Sequence, residues 1–193
     1  GDVYKRQEYY LFVSYDPLLT TYNVRVGRSD KAEGPFIDYF GKELKDTTNN
    51  FPILTAPYRF KNHPGWAGTA HCAVFTSDDG QYFMAHQGRL SPQKQMMDIH
   101  VRQVFFTKDG WPVVSPERYA GSNPREFSAA DLVGEWEIIR VQEPLYERQL
   151  EAGQILWGEG ELQDGEWNMS HLLYLEKDGK LGEDKGTWDL SLI

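Results

Sequence analysis

Between Gly65 and Tyr119 the chain breaks into four short runs rich in β-branched and aromatic residues: AHCAVFT, QYFMAHQGR, DIHVRQVFFT and WPVVS. Asp79-Gly80 separates the first from the second and Asp109-Gly110 the third from the fourth. Such dipeptides supply the positive φ angles that a tight hairpin needs. The pattern predicts a four-stranded antiparallel meander, the repeating unit of a β-propeller blade. Upstream, Tyr9–Tyr15 (YYLFVSY) is an unbroken apolar and aromatic run, followed by Tyr22–Ser29 (YNVRVGRS). A strand apolar on both faces is expected to be covered on both faces. Residues 1–7 are mostly polar and show no strand alternation.

After Ser29 a charged stretch broken by Gly34-Pro35 predicts a turn, a short outer strand and a loop. Phe51–Trp66 carries three prolines and is expected to resist regular structure. The small, polar GSNPREFSAA that ends at Ala130 has the composition of an interdomain linker. Beyond it LVGEWEIIRVQ, QILWGEGELQ, EWNMSHLLYLEKDGK and KGTWDLSLI predict a second group of short strands separated by glycine turns.

Charge and composition remove several classes of function. Twenty basic against 29 acidic residues leave a net charge of −9, which repels a phosphate backbone, so no nucleic-acid partner is expected. No run approaches the roughly 18 apolar residues of a membrane-spanning helix, so no membrane partner is expected. One cysteine, Cys72, excludes an intrachain disulfide. The 11 Tyr, 10 Phe and 6 Trp suit sugar stacking and a β-core equally.

The words HCAVF, AHQGR, HVRQVFFT and DGWPVVSPERY, with YYLFVSY, YNVRVGRS and GPF before them, resemble the endo-acting arabinanases of glycoside hydrolase family 43. The resemblance covers Glu8 to about Tyr119. It implies an all-β fold, a partial five-bladed β-propeller (blades four and five) followed by a small β-barrel-like domain. The implied division is residues 1–7 as a non-native junction, 8–121 as the C-terminal part of the propeller, 122–130 as linker and 131–193 as a partial barrel. It further implies inverting hydrolysis of internal α-1,5-L-arabinofuranosyl linkages of arabinan, in a periplasmic or secreted protein acting as a monomer. An exo-acting arabinofuranosidase or xylosidase of the same fold, and a non-catalytic carbohydrate-binding module, are the alternatives.

An inverting glycosidase needs a carboxylic acid and a carboxylate base ~6.5–9.5 Å apart. The resemblance places these, and an orienting carboxylate, upstream of YYLFVSY. Glu8 lies too close to Tyr9 to serve as the acid. The expectation is therefore a fragment with no catalytic residue, inactive alone. By the same resemblance His71 is a metal ligand, to calcium, pointing into the central channel. Arg89 offers a planar fork of donors for a sugar hydroxyl pair. His86 and Gln87 are expected to line the same cleft, and Tyr58, Phe60, His63 and Trp66 are candidate stacking groups. His100 and Arg102 share one strand face and are expected to hydrogen-bond between blades. Asp16, Asp38 and Asp98 are read as solvated turn or strand-end carboxylates, and Trp136, Trp157, Trp167 and Trp188 as core packing.

Overall fold

A computed structural model describes residues 2–5, 8–46, 50–93, 95–121, 127–141, 168–182 and 186–188. Strands β1 (Asp2–Lys5), β2 (Glu8–Tyr15), β3 (Asn23–Ser29) and β4 (Ile53–Thr55) make one antiparallel sheet in that order. The leading segment, which lacks alternation, is thus a strand: its backbone pairs with β2 from Asp2↔Leu11 to Lys5↔Glu8. Strands β7 (Ala73–Thr76), β8 (Tyr82–Leu90), β9 (Asp98–Phe106) and β10 (Pro112–Val114) make the expected meander. Gly80 and Gly110 take φ of 83° and 89° in its two turns. The second turn also joins the two sheets. The Tyr10 hydroxyl donates to the Gly110 carbonyl at 2.6 Å, and Arg28 Nη1 donates to the Asp109 carbonyl at 2.8 Å.

The core lies between these sheets. Tyr10, Phe12, Val24 and Val26, at alternate positions of β2 and β3, pack with Ala70, Met84, Val104 and Trp111. Burying each of the larger side chains contributes about 2–3 kcal/mol. The other face of β2, with Tyr9, Leu11 and Val13, is only half-buried, so the expected cover on both faces is met on one.

The proline-rich segment does hold strands: β4, β5 (Tyr58–Arg59) and β6 (Trp66–Ala67). Pro52 and Pro57 stand immediately before β4 and β5, and Pro64 two residues before β6. At a strand's entrance a missing N–H costs no ladder bond, so proline punctuates these strands without preventing them.

In the C-terminal part, helix α1 (Ala129–Leu132) starts within the segment read as linker, and the Ser128 N–H donates to the Asp131 carboxylate at 2.9 Å. Strands β11 (Gly134–Ile139), β12 (Asn168–Leu175), β13 (Lys180–Leu181) and β14 (Gly186–Thr187) pair antiparallel. Trp136 is 44% exposed, with its indole N–H on the Leu132 carbonyl, so it does not pack in a core. Trp188 donates to the Glu176 carbonyl at 2.9 Å. Trp157 and Trp167 lie outside the described residues. Among the described residues no helix is long and apolar enough to cross a membrane.

Candidate functional site

His71 sits on the connection from β6 to β7, in the left-handed region at φ 57°, and is exposed. Its backbone N–H donates to Ser14 Oγ at 3.0 Å, which ties it to the end of β2. It opens on a groove of about 450 Å³ whose walls include Cys72, Gln87, Met97 and Ile99. Gln87 holds the connection from both ends of the residue: its N–H donates to the Ala70 carbonyl at 3.0 Å and its Nε2 to the Gly68 carbonyl at 3.2 Å. Burial raises the Cys72 thiol above its usual range, which keeps it protonated.

Arg89 lies two residues beyond Gln87 on β8, so the two side chains share a face. It is 7% exposed rather than at an open strand end. Gly68 explains how it fits. At φ 58° a Cβ there would stand 2.6 Å from the Leu18 carbonyl oxygen and 3.0 Å from Arg89 Cδ. Only glycine allows the guanidinium stem to pass.

His86 and Trp66 do not join this group. His86 borders the groove along β8, but its ring is turned to the opposite face, 5.1 Å from the ring of His100. Its Nδ1 lies 2.7 Å from the Gln87 carbonyl, and its Nε2 has no hydrogen-bond partner among the described residues. Burial, with Arg102 adding repulsion, pushes the His86 pKa down to about 3. Burial and Arg102 also bring His100 down to about 4, so both rings are neutral at ordinary pH. Trp66 is 5% exposed, with its edge on His100 at 4.4 Å and the Arg118 guanidinium 5.1 Å from its centre. Its faces are taken up by protein, so it packs rather than presenting a platform to sugar. Tyr58 is buried as well, donating to Glu117 at 3.0 Å, with Phe60 edge-on against it. His63 accepts the Gly65 N–H at 3.0 Å and leans on Trp66.

The pairing expected of His100 and Arg102 splits. Arg102 donates to the Pro116 carbonyl at 3.1 Å and the Tyr58 hydroxyl at 3.2 Å, whereas both His100 nitrogens lack a hydrogen-bond partner among the described residues. The reading of Asp38 as solvated is corrected too. It is 2% exposed and accepts from the N–H groups of Phe40, Lys42 and Phe51 and from Asn50 Nδ2, a hub that organises the outer loop. Asp16 accepts from Asn23 Nδ2 and lies 3.6 Å from the fully buried Arg25, so it neutralises a core cation. Asp98 is exposed, as expected. The sequence reading gave no role to Met97 or Ile99, although Met97 just before β9 and Ile99 within it, both exposed, form the groove's apolar wall.

The groove offers an imidazole, an amide and apolar wall, and among the described residues no carboxylate lines it. Its described lining offers donors to a polar ligand but not the paired carboxylates of an inverting glycosidase. Among the described residues no cluster of three or more His, Cys, Asp and Glu is placed to hold a metal. A calcium ion takes 6–8 oxygen ligands, so one imidazole does not by itself fit that ion.

Residues 116–192 match the family GH43_C, described as a C-terminal lipocalin-like domain. The chain is 30% identical over 154 residues to the extracellular endo-α-(1→5)-L-arabinanase 2 of Bacillus subtilis (strain 168), covering 69% of this chain and 33% of that protein. It is 27% identical over 149 residues to an extracellular endo-α-(1→5)-L-arabinanase of Thermotoga petrophila, covering 68% of this chain and 31% of that protein. The chain thus spans about a third of the length of the curated relatives it matches. The crystal structure of a glycoside hydrolase family 43 protein from Bacillus licheniformis superimposes with a TM-score of 0.78 at 23% identity, over 99% of this chain and 44% of that one. At that identity the likeness establishes the nearly all-β fold. Residues 116–192 thus match the C-terminal domain of glycoside hydrolase family 43, and the chain is similar to arabinanases over about two thirds of its length.

Proposed function

We propose that the chain works as the C-terminal part of an extracellular endo-1,5-α-L-arabinanase that cleaves internal linkages of arabinan. The observation that carries this reading is the identity to two endo-arabinanases over more than two thirds of the chain. The groove supports it. Gln87 lines the groove beside the His71 connection, where an amide can donate to sugar hydroxyls, and Arg89 follows on the same strand face, buried against Gly68. Met97 and Ile99 supply an apolar wall against the sugar's C–H faces. Among the described residues no carboxylate lines the groove, so in this reading the acid and base come from elsewhere and the chain alone is expected to be inactive. His71 remains a single candidate ligand for a cation, carried by the family resemblance alone, and no chemical step is assigned to it.

The test is a chimera in which the N-terminal two thirds of the Bacillus subtilis relative precedes residue 8, compared with the 193-residue chain on linear arabinan. The expected result is a ladder of short oligosaccharides from the chimera and no new reducing ends from the chain. Release of single arabinose units alone would place the protein with exo-acting enzymes. A folded, inactive chimera would overturn the proposal.

A further inference from the structure

We infer that the C-terminal domain is docked on the propeller-like body by parallel addition of β12 to β5, anchored by Asn168. Strand β5 is two residues long, and so short a strand does not hold itself. On one side it pairs with β6 through Tyr58↔Trp66, and on the other it pairs parallel with β12 through Asn168↔Tyr58 and Met169↔Arg59. Asn168 is 5% exposed, and both its N–H and its Nδ2 donate to the Pro57 carbonyl, at 3.1 and 2.8 Å. Two donors satisfy both lone pairs of that oxygen.

A second set of bonds clasps the loop beyond β5. The Lys61 N–H donates to Glu137 Oε2 at 2.9 Å and to Ser170 Oγ at 3.1 Å, so β11 and β12 grip the same amide. From the body side Arg102 Nη2 donates to the Tyr58 hydroxyl, which in turn donates to Glu117. The joint is polar. Met169 and Leu172, two of the apolar side chains of β12, remain 40% and 45% exposed. Hydrogen bonding therefore sets both attachment and register, as when an extended segment adds to a sheet edge. The consequence reaches β8, because β6 continues from this loop and pairs Ala67 with Arg89.

Amide hydrogen exchange on the whole chain tests this. In Asn168→Ala the amides of residues 58–66 are expected to exchange about tenfold faster, the loss of roughly one buried hydrogen bond. Amides of the β8–β9 ladder should hold their rates. Unchanged exchange at 58–66, or an equal rise throughout, would overturn the anchor role. Should that variant fail to fold, the double variant Glu137→Ala/Ser170→Ala carries the test through the Lys61 amide. Faster exchange there supports docking, and an unchanged rate contradicts it.

Discussion

The two faces of the β7–β10 sheet invert the usual distribution of side chains. On the face turned to the rest of the body, β8 and β9 bury His86, His100 and Arg102 beside Met84 and Val104, none more than 4% exposed. On the other face Phe75, Ile99, Phe105 and Val113 are 45–77% exposed. Alternation along β9 makes the contrast plain. His100, Arg102 and Val104 point one way, and Ile99, Val101 and Phe105 the other. Hydropathy alone would turn the second set inward. The polar face is inside because partners already wait for it: Trp66 for His100, and Tyr58 and the Pro116 carbonyl for Arg102. This apolar face is covered in part: Phe83 is 6% exposed with Phe75 stacked on it and Tyr119 edge-on, while Phe75, Ile99, Phe105 and Val113 themselves stand open.

The largest break in this contrast comes from emptying the polar face. Arg102→Ala leaves the Pro116 carbonyl and the Tyr58–Glu117 pair without their cation, and about 3 kcal/mol of stability should be lost in urea unfolding. Acid attacks the same face. His86 is depressed from 6.5 to about 3, so the unfolded chain binds the extra proton first as pH falls. The stability that the neutral ring preserves is whole above pH 6.5 and declines below it. From pH 6.5 to 5 the loss for this one group is about 2 kcal/mol, read as a falling urea midpoint, and His86→Gln should flatten the decline.

Smaller effects sharpen the picture. A Cβ at Gly88 would meet His100 Nε2 at 2.6 Å, so Gly88→Ala should cost about 1–2 kcal/mol by overpacking in the same unfolding experiment. Calcium should matter least. With one imidazole and no carboxylate in the groove among the described residues, adding calcium or a chelator should move the melting temperature of this chain by less than about 1 °C. A larger shift would show a cation shell that the groove residues do not predict.

Local chemistry was the most legible part of the sequence. The Asp-Gly turns and the four strands they divide fall where dipeptide and alternation place them, because both are set by neighbouring residues. Which face lies inside was not legible, since alternation separates two sets without ranking them. That is why His86 and Trp66, read as cleft residues, are buried against His100, while Gln87 lines the groove and Arg89, on the same face, is buried against Gly68. The pairing of β5 with β12 joins residues more than a hundred positions apart and leaves no local mark. Asp38 misled for a related reason: its four donors come from a loop whose closure only the fold reveals.

Sedimentation velocity of the 22.3 kDa chain beside its Ile99→Ser/Phe105→Ser variant tests the central contrast most directly. The account predicts that the parent chain self-associates at micromolar concentration through its apolar face. The variant should sediment as a monomer, with stability changed by no more than about 0.5 kcal/mol. A parent chain that is monomeric, or a variant that unfolds, would show that this face is an ordinary surface or part of the core, and the account would fail.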